Sequence, residues 1–138
     1  MDDAVGEVFR AMLDRNCTAV DEPLAILGDV SARINISGTF DANCSLEFPA
    51  SSAQQLTGAL LGPSDGGYDT IMVIDAVGEL CNMIAGGWKR RLGPEAEGLV
   101  LSLPLPCGDP NQFAAGSGNI RRAYAFDDSL FVVNLDQY

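Results

Sequence analysis

Asp69 to Leu92 reads DTIMVIDAVGELCNMIAGGWKRRL, the longest uninterrupted helical pattern in the chain. At about 100° per residue, Val73, Ile74, Val77, Leu80, Cys81, Ile84, Trp88 and Leu92 fall on one side. Spacings of three and four make that side a core-facing stripe. Asp75, Glu79 and Asn82 fall on the other side, with Gly78 and Gly86 among them. The rest of the chain reads as a platform that presents this helix.

The polar face has an uncommon composition. Solvated helix faces mix Lys, Arg, Glu and Gln, which are good helix formers and keep a surface soluble. Here two acids, an amide and two glycines occupy the centre, and Lys89, Arg90 and Arg91 stand at the C-terminal end. A glycine inside a helix costs about 0.5–1 kcal/mol relative to alanine. Two readings fit. Gly78 and Gly86 point away from the core and let another backbone or bulky group approach Glu79 and Asn82. Alternatively the face is merely solvated, and Gly86-Gly87 is a kink or an early helix end.

Composition narrows the classes. The 138 residues suit one compact domain, 1–138, with a sizeable core. A net charge of −11 disfavours nucleic acid and anionic membrane surfaces as partners. The absence of histidine removes the Ser-His and Cys-His dyads and most transition-metal sites. Cys17, Cys44, Cys81 and Cys107 show no paired spacing, and Cys44 and Cys81, on apolar faces, read as buried thiols. No signal peptide opens the sequence and no apolar run approaches a membrane span, so a cytoplasmic protein is the expectation.

Working outward from the long helix, Asp2 to Asp14 reads as a first helix capped by Asp2 or Asp3. Asn16 to Gly28 reads as a connection broken by Pro23. Val30–Ser37 and Phe40–Phe48 alternate apolar and polar residues around Gly38-Thr39, a hairpin with one buried and one wet face. After Pro49, Ser51 or Ser52 caps a short helix to Leu61. Leu99–Leu105 reads as one strand whose Pro104 marks an edge or a bulge. A polar, Gly-rich loop spans 106–119, and a hairpin of Arg121–Phe126 and Leu130–Leu135 closes the chain. The expected fold is α+β: a mostly antiparallel sheet covered on one face by two long helices and one short helix.

The chemistry follows by elimination. There is no phosphate-binding loop with its lysine, because Lys89 is the only lysine. Asp127-Asp128 suits a hairpin turn, and Arg121 and Arg122 point to opposite faces of a strand. Glu79 and Asn82 remain, side by side at i and i+3. A carboxamide has both a donor and an acceptor, so it can orient a water in line with a phosphorus atom, while a neighbouring carboxylate grips a cation.

The run Asp75-Ala-Val-Gly-Glu79-Leu-Cys-Asn82-Met-Ile-Ala-Gly86-Gly87 closely resembles the signature helix of the CheX/CheC/FliY chemotaxis phosphatases, CheX above all. Met12-Leu13, the strand pair 30–48, the helix after Pro49 and the Leu103-Pro104 strand agree in order and length. The resemblance implies a phosphatase of phosphorylated CheY-type response regulators. Asn82 would place the attacking water against the aspartyl phosphate, and Glu79 would pair with the regulator's active-site lysine. Asp75, Gly78 and Gly86 would lie on the helix face that meets the partner. Mg²⁺ would sit on the regulator, with no metal or cofactor bound by this chain. The first helix reads Glu7-Val-Phe-Arg10 where two-site relatives repeat E-x-x-N, so a single site is expected. Family members also form homodimers across a sheet edge, which the Pro104 region could supply. The alternative is a non-catalytic docking or switch module that binds a regulator or flagellar component through the same helix. An unrelated domain with a chance E-x-x-N is a third reading.

Overall fold

The computed structural model describes residues 2–20, 29–38, 40–62, 64–107 and 120–137. In chain order the elements are α1 (Asp2–Leu13), β1 (Cys17–Val20), β2 (Val30–Ser37), β3 (Ala42–Phe48), α2 (Ala50–Leu61) and α3 (Thr70–Arg91). A 3-10 turn, Gly93–Ala96, leads to β4 (Val100–Leu101), β5 (Leu105–Cys107), β6 (Ile120–Phe126) and β7 (Ser129–Gln137). The strands form one sheet in the order β1-β6-β7-β3-β2-β4, with β5 also paired to β2, and every pairing is antiparallel. Three helices cover one face, the α+β arrangement expected from the sequence.

Alternation along β3 and β7 sends Cys44, Leu46, Phe48, Phe131, Val133 and Leu135 to the helical side, all buried. Phe131 is the hub: its ring stacks on Phe48 at 4.7 Å and on Phe9 of α1 at 5.4 Å. From above, α3 adds Val73, Val77, Leu80, Cys81 and Ile84 to the same core. By length and composition α3 could also cross a bilayer, but half of its apolar window is buried in this core.

Four expectations need correction. Cys17–Val20 lies in the stretch read as connection, yet it forms β1 and pairs with β6 from Cys17↔Phe126 to Val20↔Ala123. A four-residue strand whose stability comes from its partner leaves little local signal. Ser51 and Ser52 do not cap α2; the helix begins at Ala50, whose N–H donates to Asp29 Oδ2 at 2.9 Å. The cap comes from a residue 21 positions away in sequence. The outward side of β3 is not wet: Asn43, Ser45 and Glu47 are buried, because β3 is an inner strand. Glu47 accepts from Arg121 Nη1 and from Asn134 Nδ2, which satisfies its buried carboxylate.

The fourth concerns Leu99–Leu105, which is broken rather than continuous. Leu101 pairs with Ile36 and Leu105 with Arg33, so four steps here match three along β2. One extra residue makes a β-bulge. Ser102 anchors it, donating from N–H to Asn35 O and accepting from Asn35 N–H at Oγ, both at 2.9 Å. The edge-or-bulge role read for Pro104 is thus both at once. Of the loop expected at 106–119, positions 106 and 107 belong to β5, and residues 108–119 lie outside the described residues.

Glycine is required at one turn. Gly38 has φ of +138°, and a Cβ there would stand 2.4 Å from the carbonyl oxygen of Gly98. Opposite the helices, Asp136 is buried on β7, and desolvation raises its carboxyl above the usual range. Such a group stabilises the fold fully below its unfolded value and loses that contribution as pH rises through the folded value. Asp136→Asn should therefore melt higher than the parent at pH 7. The gap should close on acidification towards pH ~4, the ordinary range of an aspartate. An unchanged or lower melting temperature at pH 7 would refute the assignment.

Candidate functional site

The site is a consequence of how α3 is held. Asp69 caps its first turn, accepting from Met72 N–H at 2.9 Å. In the middle, the Cys81 thiol donates to the main-chain carbonyl of Cys44 at 3.4 Å. Gly87 is buried against α1, where a Cβ would make ordinary contact with that of Ala4 at 3.6 Å. At the C-terminal end Lys89 Nζ donates to Leu99 O at 2.6 Å, and Arg91 pairs with Glu7 of α1. The same arginine holds the Glu7 carboxyl below its usual range. The helix continues through Gly86-Gly87 to Arg91, with no early end.

With its roll so fixed, α3 turns Asp75, Glu79 and Asn82 outward, and all three are exposed. Helix geometry sets the Glu79 and Asn82 side chains about 5–6 Å apart at Cβ. Gly86 is half-buried on the same face. Gly78 departs from expectation. It is buried, and a Cβ there would meet Pro104 Cβ at 3.1 Å. The approach this glycine permits is made by the chain's own β4–β5 bulge, so Gly78 is not open to a partner. The misreading has a simple cause: a wheel shows which side of a helix a residue occupies but not what a distant strand lays over it.

Glu79 stands between two apolar banks, and Asn82 lines a separate groove with Met12, Met83 and Leu101. One bank is a groove formed by Leu60, Leu61, Met72 and Ala76, bordered by Asp75 and Glu79. The other is the bulge, where Leu103 is 82% exposed beside Pro104. Ile71 at the start of α3 is also 73% exposed. None of these apolar residues is read as part of the site from the sequence, where Leu103-Pro104 enters only as a strand feature. Met72 and Ile71 did carry a signal, since both lie off the core-facing stripe. Leu103 carried none, because its exposure depends on the bulge.

Among the described residues, no three His, Cys, Asp or Glu side chains gather as a metal site. Cys44 and Cys81 are buried, as expected, and burial pushes the half-buried Cys17 thiol up to about 12. Asp127 sits in the β6–β7 turn with φ of +50° and accepts from Arg15 Nε at 3.2 Å, a structural role.

Residues 30–118 match the family model described as chemotaxis phosphatase CheX. The chain belongs to the CheX family. None of the curated proteins matches it. Among solved structures, the CheX chemotaxis protein of Vibrio vulnificus is similar with a TM-score of 0.81 and 23% identity. That likeness covers 99% of this chain and 92% of the other. CheX from Desulfovibrio desulfuricans gives 0.69 and 24%, covering 99% and 95% of the two chains. The CheX-CheY-BeF3-Mg²⁺ complex of Borrelia burgdorferi gives 0.70 and 21%, covering 98% and 93%. At these identities the shared property is the CheX fold.

The contact between Gly78 and Pro104 can be tested directly. Gly78→Leu should destabilise the chain by about 1–3 kcal/mol, as overpacking does. It should also speed hydrogen exchange at the Ser102 and Asn35 amides by displacing the bulge. A variant as stable as the parent, with both amides equally protected, would mean that the bulge does not rest on this glycine.

Proposed function

We propose that this chain is a phosphatase of a CheY-type response regulator, acting from the outward face of α3. The observation that carries the reading is that Glu79 and Asn82 are adjacent and exposed on a rigid helix, with open surface before them. Membership of the CheX family and the fold shared with a CheX bound to CheY, BeF3 and Mg²⁺ support it.

The chemistry asked of the chain is modest. An aspartyl phosphate beside its own Mg²⁺ is already activated, and the metal neutralises charge on the phosphoryl oxygens. Asn82 Oδ1 accepts a hydrogen bond from the attacking water, which directs the water oxygen at phosphorus, in line with the departing carboxylate. Glu79 pairs with a regulator lysine, which holds the helix in register and keeps Asn82 opposite the phosphoryl group. Positioning of this kind can supply a large part of a rate enhancement without a general base. The apolar banks at Leu61, Met72 and Leu103 exclude water from the rim once the partner is seated. The reading places the protein in the cytoplasm, and a homodimer joined at a sheet edge is compatible with α3 facing away from the sheet.

The test is loss of phosphate from the host's own regulators, phosphorylated with acetyl phosphate, with and without the chain. Accelerated decay of one regulator is expected. Asn82→Ala should reduce the rate at saturation by about 100-fold or more, comparable to loss of a positioned catalytic group, without changing the melting temperature. Glu79→Ala should weaken binding by roughly tenfold, as loss of a charged interfacial pair does. Tight binding with no faster decay would favour the non-catalytic docking module. No response with any regulator would remove both readings.

A further inference from the structure

The outward face of α3 carries a cation that the proposed chemistry leaves unused. Arg90 is exposed, two turns beyond Asn82. Its Nη1 lies 3.6 Å from where a Cβ on Gly86 would stand, so the guanidinium is folded back over that glycine, towards Asn82. The two residues line one groove with Met12 and Met83. The chain has 8 basic residues against 19 acidic ones. Arg15, Arg91, Arg121 and Arg122 are in ion pairs, and Lys89 is bonded to a main-chain carbonyl. Among the described residues Arg90 has no such partner; nor do Arg10 on α1 and Arg33 on β2, which are not on this helix. Glu7, which feels the charge of Arg90, is held by Arg91. An arginine left free on the functional face of an acidic protein is available to a partner.

We infer that Arg90 is a docking residue that pairs with a carboxylate on the rim of the regulator's phosphorylation site and sets the direction in which α3 lies there. The inference rests on the proposed phosphatase reading. A site that holds Mg²⁺ against a phosphoryl group does so with carboxylates, so such a regulator presents anions around its acyl phosphate. Glu79 and Arg90 are 11 residues apart, about 16 Å along the helix at 1.5 Å per residue. One end of the face therefore seeks a cation and the other an anion. Reversing the helix on the regulator would set like charges against each other at both ends, which is strongly unfavourable at an interface. Arg90 is a positioning residue and not a catalytic one: its guanidinium lies over Gly86, a helical turn short of Asn82. Gly86 acquires a role here, because a large side chain at that position would displace the guanidinium from the groove.

The test uses the full chain with a regulator phosphorylated by acetyl phosphate, and measures binding separately with the same regulator activated by beryllofluoride. Arg90→Ala should raise KM about threefold, in the range of an exposed ion pair, and Arg90→Glu about tenfold through repulsion. Arg90→Lys should stay within about twofold, and kcat should be unchanged in all three. The fall of kcat/KM with added salt should be shallower for Arg90→Ala than for the parent, because one interfacial charge is gone. Dissociation constants for the beryllofluoride form should follow KM. Unchanged KM, affinity and salt dependence in Arg90→Glu would overturn the inference, and so would loss of kcat at saturation in Arg90→Ala, which would mark contact with the phosphoryl group instead. Asn82→Ala separates the two proposals: full turnover in that variant would sink the phosphatase mechanism, whereas the beryllofluoride binding series judges Arg90 by itself.

Discussion

The burial of Val77, Leu80, Cys81 and Ile84 against the sheet fixes the roll of α3, and the placement of the site depends on it. All four are fully buried, and each such side chain contributes about 1.5–3 kcal/mol of hydrophobic stabilisation, less for the smaller cysteine. Rolling the helix by one residue, about 100°, would bring Glu79 to the core and expose part of the stripe. No single contact on the polar face could offset that. The outward direction of Glu79 and Asn82 is thus set by groups on the opposite side of the helix. The Cys81 thiol and the Lys89 and Arg91 bonds, each to another element, then limit sliding along the axis. A positioning site needs this stiffness, because a carboxamide orients water only if its own backbone does not drift.

How much of this was legible in the sequence follows from where each signal resides. Helix α3 was readable nearly to its ends because 22 residues of amphipathic pattern are local and redundant. The β2–β3 and β6–β7 hairpins were readable for the same reason, their period-2 alternation being broken at Gly38 and at Asp127-Asp128. Strand β1 was not readable, since four residues carry too little pattern and their pairing partner lies more than 100 positions away. Nor was the cap on α2, which Asp29 supplies from a different element. The candidate site divides along the same line. Asp75, Glu79 and Asn82 could be set on one face by counting. The cover that Pro104 places on Gly78, and the exposure of Leu103, depend on a one-residue bulge fixed by the pairing of two other strands with β2.

The face of the sheet away from the helices has a different logic. It holds a buried Glu47, satisfied by Arg121 and Asn134, and, four residues along the β3–β7 register, a buried Asp136 whose carboxyl is disfavoured as an anion. The first arrangement specifies strand register, because a slip of one residue would bury a carboxylate without its partners. The second lowers stability at neutral pH. Neither is in contact with α3, so the polar chemistry of the chain is segregated: one set of groups is internally satisfied on the sheet, and the other is left outward on the long helix.

Whether α3 is the surface that meets an acyl phosphate is tested most directly by a structure of the chain bound to a beryllofluoride-activated regulator. In that complex the Asn82 carboxamide should lie within hydrogen-bond reach of the in-line position opposite the regulator's aspartate, with Glu79 on a regulator lysine. A complex in which the regulator sits on the sheet or its edge, leaving Glu79 and Asn82 in solvent, would contradict this role for α3.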